Sequence, residues 1–353
     1  MRIFENTAIV VDYASSGLGT AAFGHSAVFG GEVIVATHFS SPVKLQEYLA
    51  HRNFKFVFFS WRKGLTEFLY FLNKSPIKLE YRIFLVVADN VGLDNTHAEE
   101  KLLSVIDGYL VTNEQLKIAY ESRFALPCGG IWRDLPNLDL VNEILNLPNS
   151  ESARRRKIIW VGNSRWGERQ GYRDHKGFNR YVRPLIKDLQ NEIDFVIVDS
   201  AVELYSNKFV LTLMKDCDLL VQVSDSEGTG LPILEALALG LTVLTTNVGI
   251  VPEISGLKEF NVIHSLNYSE LLSRVKRLLE EADGKRISNF KIFTDYLEMV
   301  KDETPECFQL SNQDSTHLRP ILVSSNYLKL KAQLYWILRR FFLSRKFNDK
   351  ISR

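Results

Sequence analysis

The sequence predicts two doubly wound α/β domains in one chain, and three observations carry that prediction. Near-continuous apolar runs, short enough to be buried strands, alternate with helical stretches through both halves. Each half opens on such a run followed at once by a glycine-containing loop. A polar, Pro-containing and Arg-rich stretch at 146–156 reads as the linker between them. The expected division is 1–150, 151–285 and a remainder, 286–353, that follows no strand–helix repeat.

Composition narrows the class. At 353 residues the chain is long enough for two cores, and 46% hydrophobic with 24% charged residues is the balance of a soluble globular protein. A net charge of +1 gives no global reason to bind nucleic acid. Cys128, Cys217 and Cys307 are far apart, odd in number and without metal-ligand spacing, which suits buried thiols in a reducing cytosol. The opening MRIFENTAIVVDYASSG lacks the long apolar core of a secretory signal, and no uninterrupted apolar run approaches the roughly 18 residues of a membrane span. A cytoplasmic protein with neither metal nor cofactor is expected.

In the first half, strands are expected at 8–11, 33–37, 56–60, 83–88 and 109–112, with helices such as 42–51 and 114–122 between them. Gly17 and Gly19, just after the first strand, either bring backbone amides close to an anion or allow tight helix–strand packing. Asp89 and Asn90 follow the fourth strand at its carboxyl end, where open α/β sheets bind ligands; Asp89 either positions a substrate or caps the following turn. In the second half, 157–161 is a strand running into GNSRWGERQGYRDHKGF, a long loop rich in glycine and arginine. A helix at 178–189, a strand at 195–198 and a helix at 208–215 follow. A short strand at 261–264 and a helix at 268–281 with core-facing Leu271, Leu272, Val275, Leu278 and Leu279 close this half.

The most informative stretch is 224–253, SDSEGTGLPILEALALGLTVLTTNVGIVPE. It reads as a strand end, a glycine-broken turn, an apolar helix opening at Leu231–Pro232 and stopping at Gly240, a β-branched strand at 242–246, and a loop ending in an acid. Gly228 and Gly230 free backbone N–H groups beside Thr229, and with the helix start they make an anion site. Glu227 precedes the turn and Glu235 lies eight positions on, expected in the first helical turn. Two carboxylates beside a phosphate site would repel the phosphate unless they faced hydroxyls, to which charge-assisted bonds are worth roughly 1.5–3 kcal/mol each. An anion pocket flanked by two diol-binding acids suits a nucleotide-diphosphate sugar.

Glu227, seven intervening residues and Glu235, within EGTGLPILEALALG and followed by VGIVPE, resemble the donor motif of retaining GT-B glycosyltransferases, family 4, also described as glycosyl transferases group 1. The resemblance implies a GT-B fold: two Rossmann-like domains across a cleft, the first for the acceptor and the second for the donor. It implies that Glu227 contacts the transferred sugar and Glu235 the nucleotide ribose, and that the glycine loop at Gly17 and Gly19 faces the donor phosphates. It also implies an Arg and a Lys on the diphosphate. Lys176 before Gly177 matches the Lys; Arg165, Arg169 and Arg173 compete for the Arg, with Arg165 closest to the strand end at Gly162. Many relatives carry a sugar-contacting His near 89, and this chain has none there. The stretch DGYLVTNEQLKIAYESRFALPCGGIW resembles the last strand and helix of the first domain, with CGG expected as the turn before the linker.

The remainder holds an expected helix at 287–300 packing back across the domains, a polar loop at 302–322, and a basic amphipathic helix at 326–347. From residue 323 onward Lys329, Lys331, Arg339, Arg340, Arg345, Lys346, Lys350 and Arg353 face only Asp349. That helix either meets an anionic membrane surface, on the inner face of the cell membrane, or docks on the core.

The expected function is transfer of a sugar from a nucleotide-diphosphate sugar to a glycan, lipid-linked or cell-surface polysaccharide acceptor, with retention and without a metal. Lys176, an Arg and helix-end amides would stabilise the leaving diphosphate. Two alternatives belong to other classes: a GT-B-fold enzyme that epimerises or hydrolyses a sugar nucleotide, and a non-catalytic nucleotide-sugar-binding protein.

Overall fold

The computed structural model describes residues 6–14, 16–72, 80–148, 155–168, 171–254, 261–263, 267–281 and 286–302. The basic segment 326–347 and Arg169 lie outside the described residues.

The first half contains β1 (Thr7–Val11), α1 (Gly17–Phe29), β2 (Glu32–Val35), α2 (Pro42–Ala50), β3 (Phe56–Phe59), α3 (Arg62–Leu72), β4 (Arg82–Val87), α4 (Val91–Asp94), α5 (Thr96–Leu103), β5 (Gly108–Val111), α6 (Glu114–Glu121), β6 (Cys128–Ile131) and α7 (Leu138–Leu145). The second contains β7 (Lys157–Gly162), α8 (Arg183–Leu189), β8 (Asp194–Asp199), α9 (Asn207–Lys215), β9 (Leu219–Gln222), α10 (Leu231–Ala238), β10 (Thr242–Thr246), α11 (Val251–Ile254), β11 (Asn261–Ile263), α12 (Tyr268–Glu280) and α13 (Arg286–Asp302). Among the described residues they form two all-parallel sheets, ordered β2-β1-β3-β4-β5-β6 and β11-β10-β9-β7-β8. Helices on both faces explain why the strands are apolar throughout: Ala8 and Val10 enter one core of the first sheet, Ile9 and Val11 the other.

The helices start where side chains replace missing backbone acceptors. Ser16, Ser41, Asn113, Asn137, Ser206 and Asn267 each accept from the backbone N–H three residues on. α10 is entered instead through Gly230 at φ 84° and left through Gly240 at φ 72°.

Several expectations need correction. The second strand stops at Val35, and Ala36–His38 is a 3₁₀ turn rather than strand. The CGG of 128–130 is not a turn but β6, paired to β5, because Cys128 and Gly130 are buried against the edge of the sheet. The helix expected from 178 begins as a π turn over Phe178–Val182, entered through Gly177 at φ 66°. The expected helix at 287–300 is α13, and it does pack back: it lies on α10, and the Tyr296 hydroxyl donates to the Asp134 carbonyl at 2.8 Å. One apolar cluster runs from Ile9 and Phe58 through Val141 and Ile144 of α7 to Ile159, Leu237 and Phe293, tying the two sheets together.

Candidate functional site

The site is built on the carboxyl ends of β7, β9 and β4. Parallel sheets leave their ligand crevice there, and the loops that follow carry the polar residues.

Glu227 sits on the loop after β9 and is mostly buried. Its Oε1 and Oε2 accept from Lys176 Nζ at 2.6 and 2.7 Å, and Oε1 also accepts from Ser224 Oγ at 2.6 Å and Gln222 Nε2 at 3.1 Å. Burial by itself would raise this carboxyl, but the Lys176 ammonium and the three kinds of donor outweigh it and hold it below the ordinary carboxylate range. Lys176, reached from the other side by the long loop after β7, lies 5.5 Å from the Trp166 ring centre. Beside it His175 bridges to the Ser226 carbonyl at 3.0 Å; burial first, and then the Lys176 charge, lower its pKa. Thus the structure joins Lys176 to Glu227 directly, whereas the motif implied one for the phosphates and one for the sugar.

Glu235 is in the second turn of α10, not the first, because the helix starts only at Leu231. It faces Asn207 at the start of α9, whose Nδ2 donates to it at 2.6 Å. Burial raises its carboxyl to about 7 against the opposing effect of that hydrogen bond. Among the described residues the Asn207 Oδ1 and Gln222 Oε1 are buried without a hydrogen-bond partner, so each acid stands beside an unsatisfied acceptor.

The remaining expected residues fall in three groups. Arg165 lines a cavity of about 690 Å³ between the halves, and its guanidinium makes no hydrogen bond among the described residues; Arg173 is exposed and does not line it. Gly17 faces open space, whereas a Cβ at Gly19 would fall on the Tyr13 and Ala14 carbonyl oxygens, so Gly19 serves tight packing. Gly162 ends β7, and its carbonyl accepts from Ser200 N at 2.8 Å. Asp89 both caps its turn, accepting from Val91 N at 3.1 Å, and lines the cavity; Asn90 sits at the α4 N-cap without a side-chain capping bond and does not line that cavity.

The two halves meet along a seam at the donor motif. A Cβ at Gly228 would fall on the Ala88 carbonyl oxygen, and the Gly228 carbonyl accepts from Asn113 Nδ2. The Thr229 hydroxyl donates to Asp134 at 2.6 Å, where burial pushes the aspartate up to about 6 despite that bond. Arg133 pairs with Glu253, the acid closing VGIVPE, which also accepts from Glu114 N at 3.0 Å. Sequence reasoning missed Arg62, Gln222, Asn207 and Asp134. Only Gln222 carried a signal, as a polar residue inside an apolar strand.

A family model described as glycosyl transferases group 1 matches residues 185–291, from within α8 through the donor motif and α12 into α13. No curated protein matches the chain in sequence. The fold is shared with sucrose-phosphate synthase of Thermosynechococcus elongatus at TM-score 0.55 and 14% identity, over 94% of this chain and 99% of that one. It is shared with the trehalose-6-phosphate synthase OtsA at 0.56 and 9%, over 85% and 100%, and with HepE of Anabaena, solved with UDP-glucose, at 0.51 and 11%, over 87% and 97%. The fold is therefore GT-B, two Rossmann-like domains across a cleft. With the matched segment it supports a GT-B-type glycosyltransferase as the class.

Proposed function

We propose that the protein transfers a sugar from a nucleotide-diphosphate sugar to a hydroxyl of a glycan or lipid-linked acceptor, with retention of configuration. The observation that carries this reading is the mostly buried Lys176–Glu227 pair beside the N-terminus of α10, with Glu235 eight residues on and fully buried. A lysine ammonium, the Arg165 guanidinium and the helix-end amides supply the positive field that a leaving diphosphate needs, in the place a divalent ion would otherwise hold. Glu227 accepts from hydroxyls of the transferred sugar, and Glu235 from the ribose diol. As the bond from anomeric carbon to phosphate oxygen breaks, the acceptor oxygen bonds that carbon on the same face, and its proton passes to the departing phosphate. No side chain then has to act as general base.

Thermal melting against UDP-, GDP-, ADP- and TDP-linked glucose should show a rise with one nucleotide class, since a ligand of the native state stabilises it by mass action. Turnover of that donor should require an acceptor. Product from donor alone at full rate, or tight binding without turnover over any acceptor, would overturn the reading.

Glu235 gives a pH signature. Its carboxyl must be ionised to accept from both hydroxyls of the ribose diol, and burial has lifted it to about 7 in the empty site, so donor binding releases a proton. The dissociation constant for a nucleotide-diphosphate sugar, whose phosphates do not titrate in this range, should fall about tenfold from pH 6 to pH 8. Calorimetric titration of the wild type should show that slope, and Glu235→Gln should bind more weakly with no slope. A flat profile in the wild type would remove Glu235 from the ribose.

A further inference from the structure

We infer that Gln222, with Ser224 beside it, is a positioning residue for Glu227: together they hold its Oε1, so that Oε2 is the oxygen presented to the transferred sugar. This rests on the glycosyl-transfer reading and deepens it at the first acid of the donor motif.

Gln222 is chemically out of place in its strand. It ends β9, beside Thr245 of β10, and is 1% exposed. Val221 and Val223 on either side enter one core of the second sheet. Alternation puts the Gln222 side chain on the other face with Leu220, whose core includes Leu211 of α9 and Ile233 of α10. A buried amide costs stability there unless both its nitrogen and its oxygen are paired. The nitrogen is paired: Nε2 donates to Ser224 Oγ at 3.2 Å and to Glu227 Oε1 at 3.1 Å. Oε1 of the same amide is buried with no hydrogen-bond partner among the described residues. A half-satisfied amide serves the fold less well than an apolar side chain of equal length. Its return lies at Glu227.

The two donations act together. Nε2 carries two hydrogens, one for each acceptor. Because Ser224 Oγ accepts from the amide, its own single proton is aimed at Glu227 Oε1, 2.6 Å away. Ser224 is fixed in turn from β10, its carbonyl accepting from Thr246 Oγ1 at 2.7 Å. Gly249 walls the stem of the acid, for a Cβ there would stand 3.0 Å from the Glu227 Cβ.

The carboxylate is therefore held unevenly. Oε1 receives Lys176, Ser224 and Gln222, whereas among the described residues Oε2 receives Lys176 alone. A carboxylate has about two acceptor sites on each oxygen, so Oε1 is full and Oε2 has room for a hydroxyl. The arrangement matters most when the lysine is least available. In the transfer reading the Lys176 ammonium is drawn to the diphosphate as charge develops there. Gln222 and Ser224 come from β9 and the turn after it, not from the loop that carries Lys176. They keep the acid oriented while the lysine serves the leaving group.

The test needs no acceptor. Calorimetry compares a nucleoside diphosphate with its glucose, galactose or N-acetylglucosamine conjugate, whichever gives the largest thermal shift with the wild type. Gln222→Met keeps the length and removes both donations. It should raise the Kd of the nucleotide sugar by on the order of tenfold, the scale for one hydrogen bond to a charged group. The Kd of the free diphosphate should not change, and the variant should melt no lower than the wild type. Ser224→Ala should shift the same two constants in the same way. If folded Gln222→Met binds both ligands as the wild type does, the inference falls and the transfer reading stands. An equal rise in both constants would make Gln222 a support of the nucleotide site and overturns it. A variant that melts well below the wild type, or does not fold, also overturns it, since the amide would then serve the fold. A wild type that binds the sugar conjugate no more tightly than the free diphosphate leaves Glu227 without a sugar hydroxyl, and the inference is wrong. If the wild type binds no nucleotide of the four classes in either form, the transfer reading itself fails.

Discussion

Lys176→Ala is expected to lower turnover by on the order of 10²–10³-fold, the scale for removing one preorganised charge from a leaving group. The pair geometry adds a second consequence. Removing one partner of a buried ion pair leaves the other uncompensated at a cost of about 3–5 kcal/mol, and here the stranded group would be Glu227, whose remaining donors are Ser224 and Gln222. A loss of activity in Lys176→Ala alone could therefore reflect unfolding. The double variant Lys176→Gln, Glu227→Gln removes both charges at once and should melt close to the wild type while remaining inactive. Turnover within a few-fold of wild type in folded Lys176→Ala would remove the lysine from the diphosphate. Wild-type activity in the double variant would remove both residues from the chemistry.

Gly228→Ala is the second large effect, on the order of 10²-fold in turnover, the scale for misplacing reacting groups by about 1 Å. The new methyl would fall on the Ala88 carbonyl oxygen, a main-chain atom at the end of β4 with no rotamer to yield. Relief requires the two halves to part, stretching the neighbouring contacts of Asn113 with Gly228, Thr229 with Asp134 and Arg133 with Glu253. X-ray scattering should show a larger radius of gyration, and the separation of the first half from the donor loop should be felt in turnover more than in nucleotide binding. Wild-type turnover in Gly228→Ala would mean that the seam opens during catalysis and is not needed for it.

How much of this was legible beforehand follows from the range of the interactions. The alternating strands and helices, the glycine entry and exit of α10, and the Glu227–Glu235 spacing all depend on neighbours within a few residues, and the sequence by itself determined them. Where local reading went astray, a partner distant in the chain decided. The CGG segment looks like a turn because glycine permits one, yet β5 recruits it as an edge strand. Arg62, at the start of an unremarkable helix, gains its place only when β3 and β4 lie side by side and bring it to Asp89, with Glu99 and Tyr120 closing from two further helices. Likewise the Lys176–Glu227 pair spans 51 residues, and the Arg133–Glu253 and Thr229–Asp134 contacts join the two halves. Motif spacing can nominate a carboxylate for a diol, because that chemistry is a property of the residue and its helix. Which cation faces it, and whether its proton stays at pH 7, depend on burial and on groups delivered by other strands, and those only the tertiary structure decided.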